Sequence, residues 1–478
     1  MARVDETVFY DKIYPHFQQI CTFRRPSGEE RELIQYIISY ANHLKLKIES
    51  DAYGNIAVYR EASKGLEHYS PLLFQGHLDM VCLPDKNIFP VQPKITDGWV
   101  HTEGTTLGAD NGIAVAIMLE LMRMPFEKNP PLEFLFTTGE EIGLIGASKI
   151  ETEKINIRSP RLVNIDSEEI QYITVGCAGG QDMDLSVKVE IEPNSLKSAF
   201  AISVKGPGGH SGIAIHKKIP NAIKIAAEFA HKVTEKHKIA ISNFTGGLAR
   251  NAIPAEAQVI LCSDSITEND LTAITGKITN QFSELKPFQI AVNAVNAPET
   301  TLSTSSTEKI IQLLRTLPHG VIKMNSDTGG VLSSVNLAVI TVNKSEIKIS
   351  MNSRSSDEQE IKEILDSIDA ICREFKDIQT ERGESYPGWR PDMNSDLLRA
   401  TAQAFESVRG TKPGYLDIHA GLECGILMNK FPSIKEAVSI GPNLHNAHSV
   451  KEKLEISSTV EIWEIIQKLI GRYCEPCD

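Results

Sequence analysis

Between residues 71 and 166 the chain repeats one event three times: a short apolar run reads as a buried strand and then breaks into a polar, charged loop. Pro71-Leu-Leu-Phe-Gln-Gly-His-Leu-Asp-Met-Val81 starts apolar and turns polar at its end. Leu132 to Thr137 runs into Thr-Gly-Glu-Glu, and Arg161-Leu-Val-Asn-Ile-Asp166 closes on an acid. Between the first two, Gly112 to Met124 reads as a helix buried on most sides. Strands alternating with helices predict an α/β domain whose mixed or largely parallel sheet is covered by helices. In such sheets chemistry collects where strands end and loops begin.

Beyond Gly179-Gly180 the pattern changes. Asp182-Met-Asp-Leu-Ser-Val-Lys-Val-Glu-Ile alternates with period two, as a half-exposed antiparallel strand does. An amphipathic helix over Pro220–Lys236 and one strand over Val339–Met351 follow, and the region is expected to form two successive β/α layers. Glu384 to Asp392 reads as a turn-rich link, and the last 90 or so residues return to the style of the first domain. The expected organisation is therefore a split catalytic domain, 1–180 and 388–478, with an inserted, enlarged α+β lid domain at 181–387.

Charge narrows the function. With 49 basic and 62 acidic residues in 478, the chain carries −13, which disfavours a general nucleic-acid or anionic-membrane partner. No apolar run is long enough to span a bilayer, and the first residues lack a signal-peptide core. Eight scattered cysteines fit free thiols in a reducing cytoplasm. Cys474-Glu-Pro-Cys477 has no second pair and is not expected to hold zinc. Trp389 is expected to be a packing anchor.

Five polar motifs carry the chemistry. Each has an ordinary reading when taken alone. His77 and Asp79 lie two apart on an extended segment and can point the same way. Asp110, in Leu107-Gly-Ala-Asp-Asn-Gly112, could cap the buried helix or bridge two cations. Glu140 and Glu141 repel each other unless a positive group sits beside them. Asp166 ends a strand, and His445 and His448 lie in a polar loop. Together they place histidines and carboxylates at the strand ends of one domain, in the order His, Asp, Glu-Glu, Asp, His. Oxygen and imidazole donors without cysteine suit zinc, manganese or cobalt in a hydrolytic site.

These motifs, with His419-Ala-Gly-Leu-Glu-Cys-Gly425, resemble the M20 family of co-catalytic metallopeptidases along essentially the whole chain, and most closely its aminoacyl-histidine (Xaa-His) dipeptidase branch. The resemblance implies two divalent metal ions per chain, zinc first and manganese or cobalt as alternatives. Asp110 would bridge them, His77 and Asp166 would complete one site, and Glu141 and His448 the other. Asp79 would orient His77, and Glu140 would be the general base. The peptide bond after Asp110 would be cis. His210 in Gly206-Pro-Gly-Gly-His-Ser-Gly212, Asn251, Arg354 and Gly421 would contact substrate, Arg354 by gripping a carboxylate. The implied function is hydrolysis of short peptides, preferentially Xaa-His dipeptides, by a cytoplasmic homodimer joined through the lid. N-acyl-amino-acid deacylation and tripeptide cleavage are the alternatives on the same scaffold.

Overall fold

A computed structural model of the chain describes residues 5–83, 88–326, 328–343 and 345–475. Cys477 of the terminal cysteine pair lies outside them. The chain divides into two compact units. Unit one comprises residues 1–177, 389–417 and 422–478, and unit two residues 178–388 and 418–421.

Unit one is built on eight strands. In chain order they are β1 (Lys47–Ser50), β2 (Ile56–Arg60), β3 (Leu72–His77), β4 (Leu132–Thr137), β5 (Arg161–Asn164), β6 (Tyr172–Cys177), β7 (Gly414–Ile418) and β8 (Glu436–Ser439). Their spatial order is β1-β2-β4-β3-β5-β8-β6-β7. The centre is parallel: β3 pairs with β4 and β5, and β5 with β8. The flank at β1 and β2 is antiparallel. Every residue of β3 and β4 is buried, as central parallel strands require, because helices cover both faces. The helix Ala109–Arg123 is buried along nearly its whole length and joins the core with the closing helix Ile456–Arg472. Asp110 does not cap the first of these. Gly108 holds the N-cap position at φ 69°, a left-handed conformation that glycine adopts without a Cβ penalty.

Unit two corrects three expectations. Its main sheet has nine strands, with two two-stranded sheets beside it, rather than two successive layers. The single strand read over 339–351 is a hairpin of Val331–Asn343 with Glu346–Ser355, closed where Asn343 pairs with Glu346. The link read at 384–392 also starts too early, since Ile378–Tyr386 is a strand. The helices Ala222–Thr234, Glu268–Gln281, Thr304–Thr316 and Glu358–Arg373 contribute to an apolar core separate from that of unit one. Trp389, in unit one, is buried and exchanges backbone hydrogen bonds with Cys177.

Candidate active site and metal centre

The ends of β3, β4 and β5 lie side by side, and each delivers a functional side chain. His77 is the last residue of β3, and Asp79 follows in the next loop. Glu140 and Glu141 lie just past β4, and Asp166 just past β5. Asp110 arrives from the start of the buried helix, and His448 from the loop before the strand Lys453–Glu455.

These side chains converge. Asp110 sits between the two histidines, with one oxygen toward each: Oδ1 is 3.1 Å from His77 Nε2, and Oδ2 is 2.9 Å from His448 Nε2. Asp166 Oδ1 is 3.5 Å from the same His77 nitrogen, and Glu141 Oε1 is 3.0 Å from His448 Nε2. Two of the donor triplets compact enough to hold an ion are His77, Asp110 and Asp166, and Asp110, Glu141 and His448. A third, His77, Glu140 and Glu141, overlaps them. His445 stays outside, with its ring against Trp99.

The electrostatics fit cations. Burial raises the carboxyls of Glu140, Glu141 and Asp166 above their ordinary range. Asp110 is also buried, yet the two histidines hold it well below. His448 is pushed up to about 11 by Asp110 and Glu141. His77 is raised by Asp166 and Asp110 against its own burial. Such a set draws positive charge, and divalent ions supply it while leaving each imidazole neutral to ligate. Glu141 Oε1, although close to His448, is buried and off the line of a hydrogen bond. It is an acceptor that an ion would satisfy.

The supporting residues show how the arrangement is fixed. Asp79 Oδ1 lies 3.3 Å from His77 Nδ1. Asp79 also accepts from the backbone N–H of Glu140 and Glu141, at 3.1 Å each, and from Ser27 Oγ at 2.7 Å. It therefore holds the backbone of the paired glutamates and lies beside the histidine ring. The Asp110–Asn111 peptide bond is cis. Asn111 Oδ1 accepts from His77 N, and Asn111 Nδ2 donates to Ile165 O at 2.7 Å, tying β3 to the chain after β5. A Cβ at position 76 would run into Asn111 Oδ1, so that position needs glycine.

Four further residues escaped the sequence reading. Glu452 and Arg25 are buried beside the Asp110 segment, and Glu423 and Gln75 lie buried together. Glu423 stands inside the quoted His419–Gly425 motif, which could have flagged it. Arg25 and Glu452 bond to backbone and leave no spacing signal.

Unit two holds the expected substrate contacts. Arg354, 7% exposed, donates from Nε to Asn352 Oδ1 and from Nη1 to the Tyr386 hydroxyl. His210 Nδ1 accepts from the N–H of Gly212 and Ile213. The next residue, Ser211, donates its N–H to Asn251 O, which brings His210 and Asn251 together. Gly421 ends the segment Ile418–Gly421. There His419 pairs with Ser334 Oγ at 2.7 Å, and a Cβ at Gly212 would strike the His419 carbonyl.

Residues 73–472 match peptidase family M20/M25/M40, and the chain belongs to that family of metallopeptidases. It is 33% identical over 479 aligned residues to the cytosol non-specific dipeptidase of Escherichia coli K12, covering 95% of this chain and 96% of that protein. Its fold superposes on the crystal structure of aminoacylhistidine dipeptidase from Vibrio alginolyticus with a TM-score of 0.88, at 29% identity and 96% coverage of both chains. Aminopeptidase PepT of Bacillus cereus shares the fold alone, at TM-score 0.59 and 16% identity.

Proposed function

We propose that the chain is a dinuclear metal-dependent dipeptidase that hydrolyses short peptides, preferentially Xaa-His dipeptides, in the cytosol. The observation that carries this reading is the Asp110 carboxylate, which turns one oxygen to each of two histidine-containing donor sets. Asp110 would bridge two ions. His77 and Asp166 would complete one set, and Glu141 and His448 the other. When bound, the ions would polarise the scissile carbonyl and acidify the attacking water.

The chain's own residues do the rest. Glu140 takes the proton from the attacking water and returns it to the leaving amine, and Asp79 keeps both Glu140 and His77 aimed. Arg354 grips the substrate carboxylate, and His210, Asn251 and Gly421 contact the peptide. The names of the two full-length relatives support a dipeptidase, and that of the Escherichia coli relative supports a cytosolic setting. Consistent with that setting, no helix among the described residues is long and apolar enough to cross a membrane. The active form is a homodimer joined through residues 181–387, which sedimentation of the purified chain would establish.

The test is a metal-resolved activity profile with zinc, manganese and cobalt on Xaa-His dipeptides, other dipeptides, tripeptides and N-acetyl amino acids. Cleavage of Xaa-His dipeptides ahead of the other classes is expected. No dipeptide cleavage with any metal would reject the proposal, and faster turnover of acetylated amino acids or tripeptides would replace it with a deacylase or tripeptidase.

A further inference from the structure

The loop that delivers Asp110 is gripped from two sides by charged residues that hydrogen-bond to backbone atoms and to none of the converging side chains. Glu452 is 2% exposed. Its Oε2 accepts from the backbone N–H of Leu107 at 2.8 Å and Gly108 at 3.0 Å, and its Oε1 from Ala109 at 2.8 Å and Asp110 at 3.3 Å. Four consecutive N–H groups at the start of a buried helix thus end on one carboxylate. They would otherwise be orphans, because Gly108 has no side chain to cap them.

Arg25 is 1% exposed and works on carbonyls. Its Nη1 donates to Leu78 O at 2.9 Å and Asp79 O at 3.0 Å, and its Nη2 donates to Gly108 O. Room for the guanidinium depends on two glycines, since a Cβ at Gly108 or Gly112 would press on Nη2. Glu452 lies four residues after His448, and Arg25 holds the carbonyls just after His77. The pair therefore ties together three segments that carry candidate ligands: 77–79, 107–110 and 448–452.

We propose that Glu452 and Arg25 are positioning residues that fix the backbone of residues 107–110, so that the Asp110 carboxylate stands where both ions need it. This rests on the reading of Asp110 as the bridge. Loss of either residue then weakens both metal sites at once, whereas loss of an outer ligand such as His448 weakens one.

The experiment uses the full-length chain, stripped with chelator and titrated with Co²⁺ by calorimetry and visible absorption, followed by kinetics at saturating metal. E452Q turns an amide NH₂ toward two of the four N–H donors. It is expected to lower the affinity for both ions at least tenfold, alter the cobalt bands and lower kcat while KM stays within twofold. R25M should act alike, with partial recovery in R25K. Because the two grip one segment, the double variant R25M/E452Q should bind metal about as weakly as the weaker single variant. If E452Q does not fold, E452D, which reaches fewer of the donors, should still lower affinity at least threefold. Folded variants with wild-type cobalt affinity and spectrum would overturn the proposal, as would losses that multiply in the double variant. Failure of the metal reading shows instead in the wild-type chain, as fewer than two cobalt ions bound, and that result would overturn both.

Discussion

Glu140 lies beside the candidate ligands and belongs to one compact donor set with His77 and Glu141. A base and a ligand respond differently to removal of charge, so Glu140→Gln separates the two roles. The expected outcome is unchanged metal stoichiometry with kcat lower by about 10²–10⁴-fold, the usual contribution of a general base. Loss of an ion in the variant would make Glu140 a ligand instead. A second residue-scale prediction concerns His319 in unit two. Its Nδ1 accepts from Leu337 N and lies 3.2 Å from Asn221 Nδ2. Protonation there sets hydrogen against hydrogen. Burial, reinforced by Lys224, pushes its pKa down to about 3 from 6.5. The unfolded chain therefore binds the proton first as pH falls. Stability is full above pH 6.5 and is lost as the pH drops toward 3. At pH 5 the loss is about 2 kcal/mol from this residue. Urea unfolding of wild type and His319→Gln at pH 7 and pH 5 should show a smaller difference between the two pH values in the variant.

At the scale of elements, a row of buried polar side chains crosses the sheet of unit one two residues behind the candidate ligands. Glu423 Oε2 accepts from Gln75 Nε2 and from Thr137 Oγ1 at 2.7 Å. Gln75 Oε1 accepts from Asn164 Nδ2, also at 2.7 Å, and Asn164 Oδ1 accepts from Ser439 Oγ. Gln75 shares a strand face with His77, and Asn164 stands two residues before Asp166, so the row underlies the ligand-bearing ends of β3, β4 and β5. Gln75→Leu strips a donor from Glu423 and the acceptor from Asn164. The expected cost is about 3 kcal/mol, from buried polar groups left unpaired, read as a lower urea midpoint. The same region shows what the sequence made legible. Strand ends and their acids stood out because an apolar run that breaks into His, Asp or Glu is a local signal. Glu452 and Arg25 gave none, because their partners are backbone groups far away along the chain. The hairpin of unit two reads as one strand in the sequence because Asn343 to Glu346 contains neither glycine nor proline.

For the molecule as a whole, the two units carry separate apolar cores, one around β3, β4 and the helix Ala109–Arg123 and the other around the helix Ala222–Thr234. All seven of the converging candidates (His77, Asp79, Asp110, Glu140, Glu141, Asp166 and His448) belong to unit one. A ligand stabilises only what it binds when folded, by RT ln(1 + [L]/Kd), which is about 2.7 kcal/mol per site at a hundredfold excess over Kd. Metal should therefore act on unit one, and protonation of His319 on unit two. In differential scanning calorimetry, adding zinc to chelator-stripped protein is expected to raise the unfolding of unit one by about 5–10 °C and to leave unit two in place. Lowering the pH from 7 to 5 at fixed zinc should shift unit two, and His319→Gln should reduce that shift. The assignment of each transition follows from the variants: E452Q should blunt the zinc response alone, and His319→Gln the acid response alone. A single transition that moves as one under both treatments would mean that the cores unfold cooperatively, and that the metal's stabilisation is shared by residues 178–388 although none of the converging candidates lies there.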